Sequence, residues 1–365
     1  MYKKAPDFII FFVVVTLLCI GVVMVFSSTS ISSSQKYDDS FYFLKRQLMW
    51  SIVGIGVMIF FMRFDYHQYI KWAPKILLGS IALLILVLIP GIGKSVKGSS
   101  RWIDLGPLPP LQVSEIAKVS MVIYMSRFLA LKNKEVKNFW KGLVPALFIL
   151  GIVFALILME PDLGTAVTIG GTVFVMLLAS GARWGHLIGL GSLSIPAVFY
   201  MIITAPYRLK RLLSFLDPWK DPLGSGFHII QSLYALGSGG LFGLGLGRSR
   251  QKFFYLPEPG TDFIFSVLGE ELGFVGTSTV ILLYFVFAWR GLQIALQAED
   301  LFGCLISVGI TTMITLQAMV NLAVVSGSMP VTGITLPFIS YGGSSLVFML
   351  AGVGILLNVS RFTIN

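Results

Sequence analysis

Charge is what this chain has least of: 12% of its 365 residues are Asp, Glu, Lys or Arg, against about 25% in soluble globular domains. So few charges cannot cover a water-facing surface, which excludes a soluble domain. Cysteine is nearly absent. Cys19 and Cys304 are the only two, and both fall in apolar runs, which excludes a secreted-type disulfide framework and leaves them as small buried apolar residues. The three histidines, His67, His186 and His228, are scattered and give no metal-ligand spacing.

What is present is apolar length. Side chains are 56% hydrophobic, and they are gathered into runs of bilayer-spanning length separated by short polar loops. Lipid offers the backbone no hydrogen-bond partners, and runs of about 20 residues are too long for barrel strands, so each run is predicted to be a helix. The fold class is therefore an all-α polytopic membrane protein. Ten transmembrane helices are expected, with approximate cores at 8–28, 47–62, 74–90, 112–130, 143–159, 165–180, 185–203, 263–288, 303–326 and 338–359. The first follows Lys3 and Lys4, like a secretory signal, but its apolar run is longer than a signal core and lacks a clear small-x-small cleavage site. It reads as an uncleaved anchor.

Orientation follows the basic residues. With the amino terminus inside, thirteen Lys and Arg fall on the cytoplasmic side, from Lys3 and Lys4 through the 127–141 cluster to Arg361. The opposite side also carries thirteen, but seven of these lie between Thr204 and Thr261, and long loops weigh little in the positive-inside rule. Short loops alone give thirteen against six. Both termini are thus expected in the cytoplasm, with residues 204–262 forming a large extracytoplasmic loop within a single membrane domain, 1–365. Seven cations held outside against the usual bias suggest an anionic partner on that face.

That loop has enough apolar surface, including Leu212, Phe215, Trp219, Ile229 and Tyr234, to pack rather than remain disordered. HIIQSLYALG reads as a short amphipathic helix ended by Gly237. The glycines from Gly237 to Gly247 follow no strand, so a nucleotide-binding reading is set aside. They suit close approach of backbone to a ligand or a neighbouring helix.

Ionisable residues in or beside spans are costly and mark functional candidates. Asp262 stands where the loop meets the eighth span. It is either a base at the mouth of the bundle or a helix N-cap, and both roles can coexist. Glu115 and Lys118 share one face of the fourth helix. They form either a self-neutralising pair or a site in which Lys118 meets an anion or another helix's carboxylate. Glu270, deeper in the eighth span beside Glu271, can approach the cavity of Asp262 or serve packing. Arg101 and Trp102 set a cationic fork beside an aromatic plate, suited to a phosphate or sugar, although Trp at a membrane boundary is often only an anchor. Asp162, behind Pro161, reads as a turn residue.

The blocks RWIDLGP with QVSEIAK, EPDLGTA, APYRLKR, DPLGSGFHIIQSLYALGSGGLFGLGLG, FFYLPEPGTDFIFSVLGEELGFVG and PVTGITLPFISYGGSS resemble, in order and along essentially the whole chain, the SEDS family (shape, elongation, division and sporulation). The likeness is greatest to its FtsW and SpoVE branch. Val113 stands where the family usually has Pro, and Glu160 where it usually has Gln. The resemblance implies a ten-span peptidoglycan glycosyltransferase of the bacterial cytoplasmic membrane that polymerises lipid II, with Asp262 as catalytic carboxylate and Glu115 and Lys118 lining the same cavity. Lys118, Arg101 and the cluster Arg208, Lys210 and Arg211, with a divalent cation (Mg or Mn) as a further candidate and no organic cofactor, would stabilise the departing undecaprenyl pyrophosphate. The implied partners are lipid II, a class B penicillin-binding protein transpeptidase and the divisome or sporulation cell-wall machinery, with no nucleic acid. A lipid II flippase, an activity also proposed for this family, is the rival reading, and a scaffold that only binds the synthase is a third.

Overall fold

A helix closes its own backbone hydrogen bonds, and each of the ten apolar runs does form one. The computed structural model describes residues 4–91, 93–96, 99–105, 108–252 and 256–363. In chain order the helices are α1 (Phe8–Tyr37), α2 (Tyr42–Arg63), α3 (Gln68–Leu88), α4 (Val113–Leu131), α5 (Val144–Met159), α6 (Leu163–Ala179), α7 (Trp184–Ile203), α8 (Pro206–Leu216), α9 (Phe227–Ser238), α10 (Ile264–Gln297), α11 (Leu301–Val325) and α12 (Gly343–Val359). Among the described residues, eight are long and apolar enough to cross a membrane, with the turn at Phe139–Leu143 extending α5 and that at Ser360–Phe362 extending α12. The other two of the ten runs form α6, which is shorter at 17 residues, and α4, which carries Glu115, Lys118 and Arg127. Both short helices of the 204–262 segment, α8 and α9, lie at the end of the bundle where α10 begins, and α9 is the helix expected from HIIQSLYALG.

Two helices outrun their expected lengths the most, for different reasons. α1 continues nine residues past Ser28, through a run rich in Ser, before Asp38 turns left-handed at φ 54°. Two of the hydroxyls there bond back into the helix, Thr29 Oγ1 donating to Val25 O at 2.6 Å and Ser32 Oγ to Thr29 O at 3.0 Å, which satisfies them without water. α10 runs 34 residues but breaks at Gly273, φ 66° and ψ −162°. A break frees carbonyls and amides that lipid cannot satisfy. The glycine-rich segment supplies the missing partners: Leu244 N and Gly245 N donate to the carbonyls of Glu270 and Glu271 at 2.9 and 3.0 Å, and Phe274 N and Val275 N donate to those of Gly240 and Leu241 at 2.9 and 3.1 Å. A Cβ on Gly239 would meet the Gly269 carbonyl, and one on Gly243 the Glu271 carbonyl. The glycines thus permit a backbone-to-helix approach.

One element departs from the all-helical expectation. Gly93–Val96 (β1), Ser99–Leu105 (β2) and Leu108–Gln112 (β3) form an antiparallel sheet in the order β1-β2-β3. Pro109 and Pro110 lie in β3, an edge strand, where a missing amide donor is tolerated. β3 then runs straight into α4.

The bundle has a centre and a rim. α11 packs against α10, α4, α6 and α12, and α2 packs along α12. The spans of α11 and α12 are 67% and 78% buried, whereas that of α7 is 6% buried. Sequence hydropathy makes no such distinction, because the lipid side and the protein side of a membrane helix are equally apolar. At one end the chain's two ends meet, Lys4 N donating to Arg361 O at 3.0 Å. Gathered at the other are the sheet, α8, α9 and the first turns of α4, α6, α10 and α12.

Candidate active site

At that second end the first turns of α4 and α6 and the 331–336 segment frame a cleft lined by Gln112, Glu115, Lys118, Asp162, Thr165, Thr168, Gln317, Gly333, Ile334 and Thr335. Lys118 is 3% exposed and Glu115 5%. Their side chains pair at 2.8 Å, and Lys118 Nζ also donates to Gln317 Oε1 at 2.6 Å. The self-neutralising reading of the pair is thus seen directly; the partner that Lys118 finds on another helix is the carboxamide of Gln317 and not a carboxylate, and the pair lines the cleft.

Asp262 stands at the edge of the same cleft. It is half-buried, and a Cβ on Gly333 would sit 3.7 Å from its Oδ2. The cap position of α10 is Phe263. The segment bearing Asp262 is laced to the 331–341 segment by main-chain contacts. Ser340 Oγ donates to Thr261 O at 2.6 Å and accepts from Leu336 N at 2.9 Å, and Tyr341 N donates to Gly260 O at 2.8 Å. Tyr284 OH holds the next carbonyl, that of Pro337. Asp262 and the Glu115–Lys118 pair, 144 residues apart at the nearest, thus border one space.

Arg101 is placed beside the cleft rather than in it. Its guanidinium donates to Glu160 O at 3.2 Å and Pro161 O at 2.7 Å and pairs with Asp162 Oδ2 at 3.3 Å. It clamps the α5–α6 turn, and through that turn it holds Asp162 in the cleft wall. Asp162 in turn caps α6, accepting from Thr165 N at 3.1 Å and Thr165 Oγ1 at 2.9 Å. Trp102 is the next residue of the same strand, paired in register with Gln112. Alternation along β2 points the fork and the plate to opposite faces.

The basic cluster divides. Arg211 Nη1 donates to Val331 O at 3.2 Å, bringing it to the segment that carries Gly333. Arg208 turns back on its own neighbourhood, to Met201 O at 3.1 Å and Tyr207 OH at 2.7 Å, and Lys210 is exposed. Glu270 and Glu271 lie away from the cleft, buried against residues 249–252. Ser249 Oγ and Arg250 N donate to Glu270 at 2.5 and 2.9 Å, while Lys252 Nζ and Ser27 Oγ approach Glu271 at 2.9 and 2.6 Å. Their role is the packing alternative.

Glu160 is the electrostatic oddity. It is fully buried, and neither carboxyl oxygen has a hydrogen-bond partner. Burial first, and then the nearby Asp162 carboxylate, push its pKa up to about 8, against the opposing pull of Arg101.

Among the described residues, no group of three or more His, Cys, Asp or Glu side chains could hold a metal ion. The cleft's buried carboxylates are each already paired with a cation, Glu115 with Lys118 and Asp162 with Arg101. Among the described residues, the donor set does not fit a dedicated metal cage. Weighing charges inside spans passes over the carboxamides of Gln112, Gln317 and Asn321 and the hydroxyl of Thr165. The spacing of Gln317 and Asn321, four residues apart in an apolar helix, was the available signal.

Residues 8–365 match the family model of FtsW, RodA and SpoVE, described as cell cycle proteins. The chain is 50% identical over 361 residues to stage V sporulation protein E of Bacillus subtilis, covering 99% of this chain and 98% of that protein. It is 47% identical over 354 residues to the probable peptidoglycan glycosyltransferase FtsW of Geobacter metallireducens, covering 97% and 94%. Among solved structures it superposes with a TM-score of 0.80 and 33% identity, over 98% of both chains, on a chain of a peptidoglycan synthase complex that coordinates polymerization and crosslinking. With the rod shape determining protein RodA of Thermus thermophilus the TM-score is 0.73 and the identity 30%, over 98% and 97%. The chain belongs to the FtsW/RodA/SpoVE family of cell cycle proteins.

Proposed function

We propose that this chain is a peptidoglycan glycosyltransferase of the bacterial cytoplasmic membrane that polymerises lipid II, with Asp262 as general base. The observation that carries the reading is the convergence of Asp262, the Lys118–Glu115 pair and the Arg101-held Asp162 on one cleft at one end of the helical bundle. In the reaction Asp262 takes the proton of an acceptor sugar hydroxyl as its oxygen attacks the anomeric carbon of the lipid-linked donor. The bond from that carbon to the pyrophosphate oxygen breaks, and undecaprenyl pyrophosphate leaves with inverted stereochemistry at the sugar. Lys118, in the cleft, and Arg211, on the segment that carries Gly333, are the cations proposed to stabilise the departing charge. A Mg or Mn ion would find its oxygens chiefly on that pyrophosphate.

The proposal includes ten spans, both termini in the cytoplasm and residues 204–262 outside, within one membrane domain spanning 1–365. A class B penicillin-binding protein is the proposed partner, within division or sporulation machinery. A flippase would carry its charges near the bilayer midplane, between repeats. Here they gather at one end.

The test is polymerisation of lipid II by purified protein and its partner in detergent, where leaflets do not exist and a flippase has no product. The partner's transpeptidase site is blocked, and glycosyltransferases of other folds are excluded by their inhibitor. Glycan chains on a gel from the wild type, and none from Asp262→Ala or Asp262→Asn, are expected. Near-normal polymer from Asp262→Asn would remove Asp262 from the chemistry. Movement of lipid II across vesicles with no polymer in detergent would favour the flippase.

A further inference from the structure

The two walls of the cleft meet on one side chain. Asn321, on the last turns of α11 and 1% exposed, donates from Nδ2 to Asp262 O at 2.8 Å and to Ile334 O at 2.7 Å. A primary amide nitrogen has two hydrogens, and here each holds one wall: the segment bearing Asp262 and the segment bearing Gly333. One turn earlier Gln317 makes the matching link deeper in the cleft, accepting from Lys118 at 2.6 Å and donating to Thr335 O at 3.0 Å. Four residues apart, the two carboxamides stack on one face of α11.

Asn321 brings a cost that a purely space-filling residue would not. Its Oδ1 is buried with no hydrogen-bond partner, and an unmet buried acceptor is destabilising. The positions around it in the helix, Ala318, Val320, Val324 and Val325, are buried and apolar. The two carbonyls it holds belong to irregular chain, not to a helix or a strand. From α11, this one amide joins the segment of Asp262 to that of Gly333.

We infer that Asn321 is a positioning residue for glycosyl transfer: it fixes the backbone of Asp262 against the 331–336 wall and so sets where the base stands relative to the Lys118–Glu115 pair. This rests on the reading of Asp262 as the base. Asn321 itself is too buried to touch substrate, so it acts through Asp262. Displacement of a catalytic group by about 1 Å can cost about 100-fold in rate.

The experiment measures kcat and KM for lipid II in detergent, with the partner present, for Asn321→Leu and Asn321→Asp, alongside the thermal midpoint of each. Leu keeps the volume and removes the unmet oxygen, whereas Asp keeps the shape and, when ionised, loses both donors. The expected result for both is a fall in kcat of about 10- to 100-fold, with KM changed less than about threefold; the midpoint of Asn321→Leu should stay within about 5 °C of wild type, whereas that of Asn321→Asp, which turns a carboxylate toward two carbonyl oxygens, should fall further. Wild-type kcat in a folded Asn321→Leu overturns the proposal. So does loss of fold in both variants, or KM and midpoint moving in step with kcat, either of which makes Asn321 a structural residue only. Failure of the base reading looks different: Asp262→Asn would itself stay active. If Asp262→Asn is dead and Asn321→Leu is normal, the positioning role alone falls.

Discussion

Single residues here are governed by what a buried charge can pair with. Lys118 is held by Glu115 and Gln317, so Lys118→Met leaves Glu115 uncompensated and is expected to destabilise the fold by about 3–5 kcal/mol. Polymerisation should also be lost. The double variant Lys118→Met/Glu115→Gln separates the causes: a folded but inactive protein assigns the ammonium to the reaction, and an active one reduces the pair to structure. Glu160 gives a prediction of the opposite sign. Its folded pKa, about 8, lies above the ordinary 4.5, so between these values the folded state holds a proton that the unfolded state has released. Stability should fall as pH rises through that window, by about 1.4 kcal/mol per pH unit. Glu160→Gln removes the titration. Its thermal midpoint should exceed wild type by a margin that widens from pH 5 to pH 8 and then levels off, and a margin independent of pH would refute the argument.

At the scale of elements, the informative feature is the break in α10. The stitch between residues 240–245 and 270–275 needs Gly273 at φ 66°, where a Cβ would strike Gly243 N and the Leu241 carbonyl. Gly273→Ala is expected to lower stability by about 1–3 kcal/mol from backbone strain alone, read as a lower melting temperature in detergent. Gly237, with open space where a Cβ would stand and no positive φ, serves as the control within α9. Gly237→Ala should be neutral or stabilising by up to about 1 kcal/mol. Equal losses at both sites would mean that the break carries no special constraint.

At the scale of the whole molecule, the gathering of the sheet, α8, α9 and the cleft at one end makes sidedness testable. With Cys19 and Cys304 replaced by Ala, a cysteine at the 90% exposed Leu223 should react with a membrane-impermeant maleimide on intact cells. One at Lys134, in the loop at the other end, should react only after permeabilisation. The reverse labelling would invert the orientation and put the cleft inside, where a polymerase of exported glycan cannot work.

The sequence by itself determined that the chain is helical and membrane-embedded and roughly where each of the ten apolar helices lies along it, because about 20 apolar residues in lipid have one way to close their hydrogen bonds, although α8 and the true ends of α1, α2 and α10 were not legible there. It also picked out Asp262, Glu115 and Lys118, since charges in or beside spans are rare and costly. The three-stranded sheet at 93–112 escaped, its short strands carrying prolines at an edge and no long alternation. Only the tertiary structure decided which charges share a cleft. Arg101 became a clamp on the α5–α6 turn, Asp162 proved to be both the turn residue expected and part of the cleft wall, and Glu270 and Glu271 were drawn into a buried anchor for residues 249–252. Periodicity cannot report such pairings, because they depend on which neighbour each helix face meets, and in a bilayer a face turned to lipid and a face turned to protein have the same polarity.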